Sequence, residues 1–131
     1  MNKKNATLQL ILEKGGGKLW GRVSVDDDLI VESATTLEAL EKKIAKLLKD
    51  FHEIENAQFE IHYDLTVFFE RYNFLNQTKV AEAAGINAGL LRQYSSGAKN
   101  PSAEQVNRIQ KAIYTLAEKL SKAKVTPKVF G

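Results

Sequence analysis

The chain has 131 residues, 44% of them apolar and 27% charged, with a formal net charge of +3 and no cysteine. That balance is globular rather than disordered, and the missing cysteines exclude disulfides and thiolate metal sites and fit a reducing cytoplasm. The apolar run behind Met1-Asn2-Lys3-Lys4 spans about five residues, short of an export signal, and no stretch approaches the roughly 18 apolar residues of a membrane span. A cytoplasmic protein with no membrane partner is expected. The charge is divided: residues 1–64 carry 9 basic and 12 acidic side chains (−3), and residues 65–131 carry 10 and 4 (+6). Such a division predicts two modules with different partners, the basic one suited to a polyanion.

Thr7 to Glu13 is a short apolar run that predicts a strand. Gly15-Gly16-Gly17 follows, and glycines supply the positive φ of a tight reversal. Lys18 to Val25 alternates, with Leu19, Gly21, Val23 and Val25 on one side and Trp20, Arg22 and Ser24 on the other, as a half-buried strand does. Trp20 is expected to lie under a helix, with an interfacial role as the alternative. Asp26-Asp27-Asp28 predicts a solvated turn, and Leu29 to Ala34 a third strand.

At Thr35 the period changes. Thr35 with Glu38 fits a capping box, and Leu37, Leu40, Ile44, Leu47, Leu48 and Phe51 fall on one helical face. Phe59 to Tyr63 alternates again as a fourth strand. The order β-β-β-α-β predicts an antiparallel meander with one helix on the sheet.

From Asp64 onward no strand signal returns. Asp64 caps an expected helix with Leu65, Phe68, Phe69, Tyr72 and Leu75 at core spacing, and Asn76 caps the next, with Val80, Ala81 and Ala84. Ser102 with Gln105 opens a further helix that turns Val106, Ile109, Ile113, Leu116 and Leu120 inward. The tail from Lys122, with Pro127, is expected to fray.

The stretch from Gln77 has its own grammar. Two helices crossing at a tight turn need a small residue at the crossing, here Ala81, and a residue tolerant of positive φ in the turn, here Gly85. Val80, Ala84, Ile86, Leu91 and Tyr94 occupy the positions that must face inward. That is helix-turn-helix spacing. With Gly97 and Pro101-Ser102 beyond it, residues 64–120 resemble the Cro/CI-like (Xre-type) helix-turn-helix family.

The resemblance implies double-stranded operator DNA as a partner. Asn87 would cap the recognition helix, and Ala88 and Gly89 would bring its first turn against base edges. Gln93 would read a base and Arg92 a base or a phosphate, because glutamine pairs with adenine and arginine with guanine. Gln77, at a helix N-terminus, would meet a phosphate, as would Lys99 and Asn100 in the loop beyond. Family members mostly carry polar side chains where Ala88, Gly89 and Leu90 stand, which predicts thin direct readout and a need for dimerisation.

The first half resembles the HicB-like antitoxin family, on the glycine reversal 15–17, the strand LWGRVSV, the helix TTLEALEKKIAKLL and the strand FEIHYD running into LTVFFERYNFLNQTKVAEAAGI. The family's proline-glycine turn is replaced here by Asp26-Asp27-Asp28. The resemblance implies a degenerate RNase H-like domain that neutralises a small RNA-cleaving, HicA-like toxin. The helix-turn-helix would then repress the operon from its own promoter as a homodimer or larger homo-oligomer.

The expected architecture is thus α+β: a partner-binding or dimerisation domain over residues 1–63 and an all-α helix-turn-helix DNA-binding domain over 64–131. The expected function is that of a type II toxin–antitoxin antitoxin and transcriptional repressor. The alternative is a regulator whose first domain dimerises or senses a ligand. A nuclease of RNase H type is disfavoured, because the candidate strands carry too few convergent acids to hold two metals. Gly15-Gly16-Gly17-Lys18 lacks the spacing and hydroxyl of a phosphate loop, and no base flanks Ser95 or Ser96. No cofactor, metal or catalytic residue is expected, and His52 and His62 are expected as ordinary, partly exposed side chains.

Overall fold

The computed structural model describes residues 5–130. It is α+β, with strands β1 (Asn5–Gly15), β2 (Lys18–Val25) and β3 (Asp28–Ala34), helix α1 (Leu37–His52) and strand β4 (Asn56–Tyr63), followed by helices α2 (Leu65–Arg71), α3 (Gln77–Ala84), α4 (Ala88–Ser96) and α5 (Ala103–Lys122). The chain divides into two compact units between Arg71 and Tyr72. That division falls later than residue 63, because α2 packs on the sheet and buries Val67 in its core.

In the first unit the strands lie in the order β3-β2-β1-β4. β1, β2 and β3 form the expected antiparallel meander, and β4 joins the far side of β1 in parallel, Leu10 opposite Ile61. Gly16 and Gly17, at φ 59° and 73°, make the first reversal. α1 crosses one face and buries Leu40, Ile44 and Leu48 against Leu10, Leu12, Val23 and Val25. Gly21 is what lets it lie so close: a Cβ there would stand 2.8 Å from Leu40 Cδ2 and 2.9 Å from Leu10 Cδ1.

Several expectations shift. The N-cap of α1 is Thr36, not Thr35; its side chain accepts from the Ala39 N–H at 3.1 Å. Phe51 is 74% exposed. The chain reverses after it through Glu53 at φ 57°, and buried Ile54 closes that end of the core instead. Trp20 is not covered. It stands on the face opposite α1, 42% exposed, with its indole N–H donating to the Gly15 carbonyl at 3.0 Å.

The aspartate turn is also more than a solvated tip. His52, the last residue of α1, has Nε2 3.0 Å from Asp28 Oδ2 and Nδ1 3.2 Å from Asp26 Oδ2. The hydrogen bonds to Asp28 and Asp26 hold its pKa above the ordinary histidine value.

In the second unit α3 packs on both α4 and α5. The helix expected to reach Leu75 stops at Arg71. Ile109 and Ala112 of α5 are buried, whereas Val106 and Leu120, expected inward, are 41% and 72% exposed. An eight-residue α3 is too short to cover a twenty-residue α5, about 12 Å against about 30 Å of helix. Residues 123–130 have no regular structure and are exposed.

Candidate nucleic-acid interface

The second unit holds every residue that the sequence nominates for a site. Asn76 opens α3, its side chain accepting from the Lys79 N–H at 3.2 Å. Ala81 is fully buried, so the two short helices can approach closely, and Val80, Leu91 and Tyr94 are buried around it. Gly85 ends α3 at φ 70°, where an L side chain would be strained. Ala84 and Ile86 are half-buried.

Asn87 then begins α4. Its Oδ1 accepts from the backbone N–H groups of Gly89 at 2.7 Å and Leu90 at 3.2 Å, satisfying donors that a helix N-terminus leaves without intrahelical partners. Gly89 makes room for this: a Cβ there would stand 3.0 Å from that oxygen. The helix-weakening glycine therefore has a local purpose. Asn87 spends its side chain on the cap, and Ala88 is half-buried.

Gly89, Arg92, Gln93 and Ser96 follow the i, i+3, i+4, i+7 rule and share the exposed face of α4, opposite Leu91 and Tyr94. Two contacts tie this helix to the start of α3. Arg92 donates to Thr78 Oγ1 at 2.9 Å, and the Ser95 hydroxyl donates to Gln77 Oε1 at 2.9 Å. Gln77 and Arg92, far apart in sequence, are thereby brought onto one surface, with the Gln77 amide N–H groups still available as donors. Thr78 and Ser95 escape sequence reasoning, since short hydroxyls 14 and 18 residues from their partners carry no local signal.

Beyond Gly97, which caps α4 at φ 83°, the Lys99 N–H donates to the Gln93 carbonyl at 3.1 Å. This folds the exposed loop with Lys99 and Asn100 back to the end of α4. Among the described residues, Lys79, Arg108 and Lys122 pair with carboxylates of their own helices, and neither Arg92 nor Lys99 is seen in such a pair. Residues 72–131 carry 9 basic and 3 acidic side chains, a net +6, against 10 and 13, a net −3, for residues 1–71. The surface joins hydrogen-bond donors to two cations and small residues. Such a surface can hold a polyanion, and Gln93 stands exposed on it with both a donor and an acceptor.

The first unit has a cavity of about 350 Å³ at one end of the sheet, lined by Lys14, Lys18, Thr35, Thr36, Glu70 and Arg71 among others; Lys14 pairs with Glu70 across it. Among the described residues no group of three or more His, Asp or Glu is placed to hold a metal ion. Nor is any helix long and apolar enough to cross a membrane. The chain matches no family model, no curated protein and no solved structure.

Proposed function

We propose that this protein is a DNA-binding antitoxin of HicB-like type: an Xre-type helix-turn-helix in the second unit represses its own operon, and the first unit binds and neutralises a small RNA-cleaving toxin. One observation carries the DNA half. The α3–turn–α4 pair is closed by Gly85 and capped by Asn87, and it presents Gly89, Arg92 and Gln93 outward, with half-buried Gln77 beside them and Lys99 exposed in the loop beyond. Small residues at the start of α4 let its backbone lie close to base edges, Gln93 supplies donor and acceptor to an adenine, and the Arg92–Thr78 contact turns the guanidinium toward α3, where a phosphate is the natural ligand. Gln77 and the loop at Lys99 and Asn100 hold the same backbone.

The antitoxin half rests on the β-β-β-α-β order and on charge. An acidic first unit complements a basic RNA-binding toxin, which speeds and steers association. A second reading, a regulator whose first unit senses a ligand, draws on the cavity at Lys14, Lys18 and Arg71.

The test is selection of double-stranded DNA by the purified full chain from fragments of the region upstream of its gene. A specific footprint, lost on Asn87→Ala with Gln93→Ala, supports the reading. Equal retention of all fragments by parent and variant counts against it.

A further inference from the structure

The outer edge of the sheet carries a second, unassigned surface. β2 and β3 are joined through Asp26 and Asp27, with Val25 opposite Asp28 and Val23 opposite Ile30. A two-residue hairpin closes on a hydrogen-bonded pair, so the even-numbered residues of β3 bond β2 and the odd-numbered ones turn their backbone groups outward. Two contacts agree: the Leu29 N–H donates to Asp28 Oδ1 at 2.9 Å, and the Ser33 carbonyl accepts from Lys43 Nζ at 2.7 Å. Each end of the edge is thus blocked by a side chain, on opposite kinds of group. What the ladder leaves to solvent is the Val31 N–H, the Val31 carbonyl, the Leu29 carbonyl and the Ser33 N–H.

Those groups are self-complementary. In an antiparallel pair centred on Val31, each copy's Val31 N–H donates to the other's Val31 carbonyl, and each Ser33 N–H to the other's Leu29 carbonyl. The blocked groups fall on the bonds that such a pairing can forgo. The side chains agree as well. Leu29 and Val31 are 57% and 50% exposed, on the same uncovered face as Trp20, an unusual load for an edge strand, where charges and proline ordinarily discourage pairing. The register also sets the Asp26-Asp27-Asp28 turn of one copy beside residue 34 of the other, close to where Lys43 stands.

We infer that β3 is a homodimerisation edge: two copies pair antiparallel about Val31, joining their sheets into one and burying Leu29 and Val31 at the seam. The contact is isologous, so it closes on itself. It involves the first unit alone and stands whether or not the second binds DNA.

The full chain has no cysteine, so a single V31C substitution reports on one position. Hydrogen-bonded antiparallel residues lie about 5.5 Å apart at Cα, within the roughly 4.4–6.8 Å that a disulfide spans. V31C is expected to give a covalent dimer under mild oxidation, whereas S24C, exposed on the neighbouring strand and away from the axis, is not. Val31→Pro, which removes an outward-facing donor and is tolerated on an edge, is expected to reduce the sedimenting mass to that of a monomer with an unchanged circular dichroism spectrum. A V31C chain that links no faster than S24C, or a Val31→Pro chain that keeps the parent's mass, overturns the inference.

Discussion

His52 Nε2 lies 3.0 Å from Asp28 Oδ2, tying the end of α1 to the turn between β2 and β3. Asp26 holds the other ring nitrogen, and the histidine side chain is only 11% exposed. Both hydrogen bonds strengthen with imidazolium, so the pKa in the folded state stands above the ordinary 6.5. A raised pKa stabilises the fold fully below the unfolded value, and that stability is lost as pH rises through the folded value. The urea midpoint of the parent is expected to fall, relative to that of His52→Asn, which lacks this dependence, as pH rises from below 6.5 through the raised titration of the imidazole. Parallel curves for the two proteins would show that the clasp contributes nothing.

Gly21 sits beneath α1. Any side chain there must displace Leu40 and Leu10, both fully buried. Gly21→Ala is expected to destabilise by about 1–3 kcal/mol through overpacking, despite the better strand propensity of alanine. Denaturant unfolding measures it, and an unchanged midpoint would mean that α1 has room to lift.

Glu53 has the opposite fault. It holds φ 57° at the end of α1, a conformation that glycine adopts without strain. Glu53→Gly is expected to raise stability by roughly 1 kcal/mol, read as an increase in melting temperature. A decrease would show that the glutamate side chain has work to do there.

Much of this was legible because it is local. Asn76 and Ser102 announce caps and Gly85 a left-handed turn from the local residues, and the helix-turn-helix resemblance adds the Asn87 cap; all four hold. Apart from the one-residue slip of the α1 cap from Thr35 to Thr36, the misses are tertiary. Alternation in β2 separates two faces but does not say which one α1 takes. Four positions, Leu19, Gly21, Val23 and Val25, outweigh Trp20, and the glycine is the clue, since only the covered face needs a missing Cβ. The Asp26–His52–Asp28 clasp joins residues 24 and 26 positions apart, and no periodicity encodes it. In α5 the apolar stripe is correctly periodic but longer than the helix it meets. On the candidate surface of α3 and α4 the sequence names residues but not their orientation: Thr78 aims Arg92, and nothing in the spacing predicts that.

Roles on the proposed DNA surface separate by mutation. Gln93→Ala is expected to lose about 1–3 kcal/mol of discrimination at one operator base pair while leaving affinity for unrelated DNA unchanged. Competition with single-site operator variants checks this. Uniform weakening across all sequences would make Gln93 a backbone contact.

The toxin-binding role has its own test. Co-expression of the tagged chain with each small open reading frame beside its gene is expected to yield one stoichiometric complex, with a neighbour that arrests growth when expressed alone. If no neighbour is toxic and none co-purifies, the antitoxin reading falls and a ligand-sensing regulator takes its place.

The most direct test of the central claim is the salt dependence of binding between the full chain and its own upstream DNA, for the parent and for Lys99→Ala. Binding through phosphates predicts that log affinity falls linearly with log salt, with a slope near −0.9 per phosphate contacted, and that Lys99→Ala is shallower by about one. A parent that binds no DNA at low salt, or binds with a slope near zero, contradicts the account.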